Sequence, residues 1–161
     1  IPAQIMALAN RVMAAATPEL RPPTAVREGD ATPDIVAVAP DALADAVALE
    51  TARLIELVPD GNIAVVAPDE MVDELSKALA DAGVVHGRAT RTGLESGVTV
   101  VAVSVVKGLE LDAVIVVEPA DIVAGEQQGL RALYVALTRS TRRLSVVHAK
   151  PLPDAMLLDI S

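Results

Sequence analysis

The chain has 161 residues, enough for one domain with a sizeable core. It is 52% hydrophobic but has no Phe, no Trp, a single Tyr and no Cys, so the core must be aliphatic, and disulfide scaffolds and thiolate metal sites are excluded. A formal net charge of -9 gives no global attraction for phosphate backbones, so any nucleic-acid contact must be local or borrowed from another domain.

Only His86 and His148 offer imidazole, and their separation in the sequence makes a zinc site an unfavourable reading; no metal ligands are expected. No apolar run reaches the ~18 residues needed to span a bilayer, so no membrane contact is expected. The absence of cysteine is compatible with a reducing cytoplasm, the expected location. The chain begins at Ile1-Pro2, without a methionine or a basic leader and already inside an apparent helix, and reads as a piece of a longer protein.

Residues 3–15 have helical spacing, with Ile5, Leu8 and Val12 three and four apart. The Pro-rich stretch that follows, to residue 33, reads as an extended connector. A short strand is expected at 34–38. Asp41 is then a plausible N-cap for a long Ala-rich helix with Leu43, Val47, Leu54 and Val58 inward, stopped by Pro59-Asp60-Gly61. Residues 62–67 form the next strand. Asp69 would cap a helix with Met71, Leu75 and Leu79 on one face, ended by Gly83. A short strand at 84–86 and a polar loop over 87–97 come next.

Strands are expected at 99–104 and 113–118, bracketing the polar insert Lys107-Gly108-Leu109-Glu110. About eight residues join them, fewer than an ordinary parallel crossover uses, so either a single helical turn connects them or the pair is antiparallel; the single turn is preferred. A spacer with Pro119, Gly125 and Gly129 precedes a helix over about 127–141 that carries Arg131, Thr138 and Arg139. The last strand is 144–148, and the tail 151–161 forms a turn or two. Strands alternating with helices, and strands that are near-continuous aliphatic runs, predict an α/β fold with a mostly parallel sheet and helices on both faces. All 161 residues read as one domain: leading helix and connector 1–33, sheet and helices 34–150, tail 151–161. Charged groups at the carboxyl ends of two buried strands and on the next helix suggest half of a nucleotide site.

At KGLELDAVIVV and LYVALTR the sequence resembles the C-terminal RecA-like domain, domain 2A, of superfamily 1 helicases of the UvrD/Rep/PcrA type. The first stretch is similar to the family's motif V and the second to motif VI, and AQIMALANRVM resembles the helix after motif IV. The resemblance thus spans essentially the whole chain. Departures are Leu111 in place of an aromatic, Ser104 where histidine is common, and Ala67-Pro68-Asp69 in place of a loop that touches the nucleic-acid backbone. Gln127-Gln128-Gly129 replaces the acids usual before motif VI, and there is no room for the large 2B insertion. With ELRPPTAVREGD and the PLPDA tail, these features look more like the HelD branch of RNA-polymerase-associated ATPases.

The resemblance implies a RecA-like fold and a role for Arg139 as an arginine finger. A planar, permanently charged guanidinium suits charge building on phosphoryl oxygens; a helix C-terminal arginine favoured by the macrodipole is the plain alternative. It implies that Glu110 contacts the ATP ribose, against a solvated acid in a connector. Gly108 either lets a ligand come close or serves only a tight turn. Ser104 and Lys107 are candidate nucleic-acid contacts, Ser104 being equally explained by a bond to nearby backbone. At roughly 100° per residue, Arg131, Val135, Thr138 and Arg142 would form one helical stripe. Arg131 is then a surface or salt-bridge residue, Thr138 bonds within the helix or supports Arg139, and Tyr134 is a core residue with its hydroxyl at the edge.

No GxxxxGK[ST] phosphate loop and no acidic Mg²⁺ motif after a strand occurs in the chain, so the Mg²⁺ ligands for Mg-ATP are expected outside it. The expected function is the closing half of an ATP hydrolase site, completed by domain 1A of the same protein, with this piece inactive alone. The HelD resemblance implies RNA polymerase as the partner remodelled. The alternatives are a domain that moves single-stranded DNA, or a catalytically silent docking module.

Overall fold

The computed structural model describes residues 2–16, 33–59, 61–84, 87–90, 93–94, 97–125 and 128–157. The connector 17–32, His86, Gln127 and the last four residues of the tail lie outside them. Helix α1 (Ala3–Ala16) leads, followed by β1 (Asp34–Ala37), α2 (Leu43–Leu57), β2 (Ile63–Ala67) and α3 (Val72–Asp81). Next come β3 (Gly87–Thr90), β4 (Gly93–Leu94), β5 (Val98–Ala102), β6 (Leu111–Val117), α4 (Pro119–Gly125), α5 (Gly129–Leu137), β7 (Ser140–His148) and α6 (Asp154–Leu157).

The strands form one sheet in the order β1-β7-β6-β2-β5-β3-β4. Every ladder from β1 to β3 is parallel, and only β4 runs against its neighbour. Alternation along each strand splits the aliphatic side chains between two faces. Ala64, Val66, Val114, Val116, Leu144 and Val146 pack under α1, α4, α5 and α6. Ile63, Val65, Ala67, Ala113, Ile115 and Val117 pack under α2 and α3. This is the expected α/β sandwich, with β6 and β2 buried on both faces.

The short link between β5 and β6 is parallel, as preferred, but the two strands are not partners. Both pair with β2, which lies between them, so residues 103–110 step over one strand through a single 3-10 turn at Val103–Val105. Several boundaries differ from expectation. Asp41 does not cap α2: Pro40–Ala42 form a 3-10 turn ahead of it, without a side-chain cap bond. Asp69 likewise sits in a 3-10 turn, Asp69–Met71, and not at a helix N-cap. The polar stretch 87–97 holds β3 and β4. Strands at a sheet edge need no apolar run, and polar ones discourage pairing with other chains.

The largest shift is in the motif VI-like stretch. Helix α5 ends at Leu137, and Ser140 pairs with Leu111 to start β7 four residues earlier than expected. Thr138 is the helix C-cap, and Arg139 follows it in the turn. Arg142 is on β7, so it shares no helical stripe with Arg131. The spacer ahead of α5 contains α4, with Ile122 buried. A Cβ on Gly129 would lie 2.0 Å from the Val123 carbonyl oxygen, so the close approach of α5 to α4 requires glycine there.

A polar network, buried at Glu50 and Ser145 and exposed at Arg53 and Asp34, ties α2 to β1 and β7. Arg53 donates through Nε to both Glu50 carboxylate oxygens (3.0 and 3.1 Å) and through Nη2 to Asp34 (2.7 Å). The Ser145 hydroxyl donates to Glu50 Oε1 at 2.8 Å. Burial pulls the Glu50 carboxyl upward, but the bonds from Arg53 and Ser145, with the Arg53 charge, outweigh it and hold the group below its ordinary value. A carboxyl depressed in the folded state stabilises the fold above its unfolded pKa, and that contribution is lost as pH falls through the folded value. The urea midpoint should therefore fall on acidification below about pH 5, where unfolded glutamates begin to protonate. Glu50→Gln should lower the midpoint at pH 7 and flatten the acid slope; an unchanged slope would remove Glu50 from the acid transition.

Candidate functional site

The amino ends of β6 and β7 bring two candidate residues onto neighbouring chain segments. Leu111 opens β6, and its N–H donates to the Arg139 carbonyl at 2.9 Å. The Thr141 hydroxyl donates to the Leu111 carbonyl at 3.2 Å. Glu110 and Arg139 thus precede adjacent strands. β7 has one more residue than β6 between the Leu111↔Ser140 and Ala113↔Arg143 pairs, a local irregularity of the kind that re-aims side chains near sites. Both candidates lie at the amino ends, not the carboxyl ends expected from the sequence. The carboxyl-end rule describes a ligand held by the loops after its own strands, whereas here the charged groups come from the segments that enter the strands.

Arg139 is half-buried and held at the end of α5. Its Nε donates to the Val135 carbonyl at 3.0 Å, and its Nη2 donates to Thr138 Oγ1 at 3.2 Å. The Thr138 hydroxyl lies 3.0 Å from the Tyr134 carbonyl and 3.1 Å from that of Val135, and donates into this pair. The Tyr134 and Val135 carbonyls, which also take the Thr138 N–H, and the Ala136 carbonyl, which takes the Arg139 N–H at 3.3 Å, close the last turn of α5, and a cation sits where the helix dipole favours one. Tyr134 is half-buried against the α1-side core. Burial pushes its hydroxyl above the usual value, while the Arg139 charge pulls it the other way. Beside Arg139, the Ser140 hydroxyl is fully buried and has no hydrogen-bond partner among the described residues.

Glu110 is exposed at the mouth of this end. Residues 106–109 make a turn closed by the Leu109 N–H to the Val106 carbonyl (3.2 Å), with Gly108 at φ +88, the backbone a type II turn requires at its third position. A Cβ at Gly108 would meet nothing within 4 Å, so the glycine serves the turn and leaves space above it. Lys107 is exposed in the same turn, and Arg131 is exposed on α5.

Ser104 lies apart from this group, just past the carboxyl end of β5. Its hydroxyl donates to Asp69 Oδ2 at 2.7 Å and its N–H to Asp69 Oδ1 at 3.3 Å. The acid that the sequence suggested as a helix cap instead takes both donors of the candidate nucleic-acid contact. Asp69 is the residue sequence reasoning missed; the Ala67-Pro68-Asp69 departure was its only signal.

The amino end thus presents an arginine whose outer N–H groups have no acceptor among the described residues, an exposed carboxylate and an open glycine turn. Among the described residues no group of three or more His, Asp or Glu side chains could hold a metal ion. No described helix is long and apolar enough to cross a membrane.

Residues 97–147 match the family model of the UvrD-like helicase C-terminal domain. That span contains β5, the Lys107-Gly108 turn, β6, α5 and Arg139. No curated protein matches the chain. Among solved structures, the C-terminal domain of a possible DNA helicase from Lactobacillus plantarum WCFS1 is similar over 95% of this chain and 88% of its own, at 22% identity and a TM-score of 0.72. This likeness establishes the fold. The Pyrococcus furiosus Hef helicase domain is similar over 69% of this chain and 26% of its own, at 18% identity and a TM-score of 0.48.

Gly108→Ala should cost about 1–2 kcal/mol, the penalty for a Cβ in left-handed backbone, because no clash adds to it. Gly108→Asn should cost less. Urea unfolding at constant slope measures both; a cost near zero would mean that the turn refolds around the side chain.

Proposed function

We propose that this chain is the domain 2A half of a superfamily 1 ATPase, closing on a domain 1A of the same protein to complete an ATP site. The observation that carries the reading is the backbone bond from Leu111 to Arg139. It sets the motif V-like and motif VI-like segments side by side, so Glu110 and Arg139 would be offered to one ligand from one end of the sheet. The family match over 97–147 supports it, because it covers both segments. Mg-ATP would bring the transferable phosphoryl group and its metal; Arg139 would meet charge developing on the phosphoryl oxygens, and Glu110 would accept hydrogen bonds from the ribose hydroxyls. Neither residue supplies a phosphate cradle or metal ligands, so hydrolysis depends on closure and the chain alone is inactive.

In the full-length protein, Arg139→Ala should lower kcat for ATP hydrolysis by about 10³-fold or more, with little change in ATP affinity, since the guanidinium acts on transition-state charge. Glu110→Ala should act mainly on KM, losing a charged hydrogen bond worth roughly 1.5–3 kcal/mol. Thermal melts must accompany the kinetics, because Arg139 also caps α5. An Arg139→Ala protein that melts normally and hydrolyses at the wild-type rate would put the silent docking module ahead.

A HelD-type role, remodelling RNA polymerase, is the form of this function that Asp69 favours. A phosphate approaching Ser104 would have to displace a carboxylate that already takes both of its donors. With a net charge of -9 behind that carboxylate, the purified chain should bind single-stranded DNA negligibly at physiological salt. Fluorescence anisotropy showing submicromolar, salt-sensitive binding would instead favour a DNA translocase.

A further inference from the structure

The five N–H groups of an arginine form two usable edges: a side edge made by Nε and one terminal nitrogen, and an end edge made by the two terminal nitrogens. At Arg139 the side edge is spent within the protein, Nε on the Val135 carbonyl and Nη2 on Thr138 Oγ1. The end edge has no acceptor among the described residues. Thr138 can serve this way because its own proton goes to the Tyr134 or Val135 carbonyl, which leaves a lone pair for the guanidinium. Thr138 is itself buried, at 7% exposure, and is the C-cap of α5. The acceptor therefore belongs to a packed helix end and not to a mobile surface side chain.

We propose that the Thr138 hydroxyl is a positioning group for Arg139, fixing its side edge so that its end edge is aimed outward to take two oxygens of a phosphoryl group. This rests on the reading of Arg139 as the arginine of an ATP site. An unanchored arginine would surrender its rotamer freedom at each encounter and sample orientations that present one nitrogen or none. Anchored along one edge, it keeps the planar fork in register before the ligand arrives, the condition under which electrostatic stabilisation costs no reorganisation. Had the guanidinium been turned the other way, with its end edge on the helix, a bidentate contact to phosphate would require breaking the cap.

Thr138→Val keeps the shape and removes the hydroxyl, while Thr138→Ser keeps the hydroxyl. On the purified chain at low temperature, NMR reads the Arg139 Nη2–H that donates to Thr138 Oγ1. Its solvent exchange should speed up at least tenfold in Thr138→Val and stay near wild type in Thr138→Ser; equal exchange in all three overturns the anchoring. In the full-length ATPase, Thr138→Val should lower kcat roughly tenfold with KM within about twofold, since misplacing a catalytic group by about an ångström costs that much or more. Thr138→Ser should restore the rate. Combined with Arg139→Ala, Thr138→Val should add no further loss, because its effect passes through the guanidinium. A tenfold loss that persists without Arg139, or a Thr138→Ser protein as slow as Thr138→Val, overturns the proposal. An Arg139→Ala protein that hydrolyses ATP at the wild-type rate would defeat the functional reading alone, leaving the exchange experiment to decide the anchoring. If Thr138→Val does not fold, Thr138→Ala takes its place in every comparison.

Discussion

The parallel ladder between β6 and β7 is the constraint on which the rest depends. It lies between two layers of helices and has no aromatic side chain to fill space, so its register is set by small aliphatic residues alternating on both faces. A slip of one residue would exchange the α1-side set with the α2-side set along β6. The same ladder fixes where Leu111 meets Arg139, so the mutual placement of the two charged segments is a consequence of core packing. Ser145, midway along β7, ties that strand to Glu50 and through Arg53 to β1, locking the register from the opposite face with polar groups. Buried polar groups discriminate between registers more sharply than valines do, because a mispaired carboxylate costs far more than a mispaired methyl.

Much of this was legible in the chain. Long Val-rich runs separated by Ala-rich helical stretches leave few options besides a two-faced parallel sheet, and β2, β6, α1 and α2 fall within a residue or two of their expected limits. The misreadings share a cause: each occurs where tertiary pairing overrides local pattern. Thr138 to Arg143 continue a helical spacing, yet pairing with β6 draws Ser140 and its successors into a strand. The expected loop over 87–97 instead holds β3 and β4, whose pairing at the sheet edge needs no apolar run. Asp41 and Asp69 are typical capping residues, but prolines at positions 40 and 68 open 3-10 turns instead. The step over β2 between β5 and β6 could not be read from connection length, which is silent about which strand lies between.

The site residues were legible as residue types and much less as geometry. Arg139, Glu110 and Gly108 stood out from their motifs, but a helix extended to residue 141 would have carried Arg139 onto a different face. Only the end of α5 at Leu137 turns the guanidinium back onto the helix carbonyls. Ser104 shows the reverse. Its donors were visible in the sequence, and the acceptor that takes them lies 35 residues earlier in the chain. The two ends of the sheet are therefore electrostatically distinct: an arginine edge with no acceptor among the described residues at the amino ends of β6 and β7, and a carboxylate holding the Ser104 hydroxyl past the carboxyl end of β5.

That asymmetry matters more in an acidic protein than in a basic one. At a net charge of -9, no long-range field gathers polyanions to the surface. At physiological ionic strength, moreover, charges separated by more than about 8 Å scarcely feel each other through solvent. Attraction for a phosphoryl group must then come from the few donors that touch it, and from how little those donors must rearrange. A guanidinium anchored on one edge and open on the other meets that requirement without help from neighbouring lysines. It would also limit what the chain does alone in the proposed function, because one bidentate contact would not hold a nucleotide. There, a second surface would bring the remaining cations and the metal. In the proposed function, a site built this way would register the approach of that second surface, and would tie chemistry to closure without a moving part inside the domain itself.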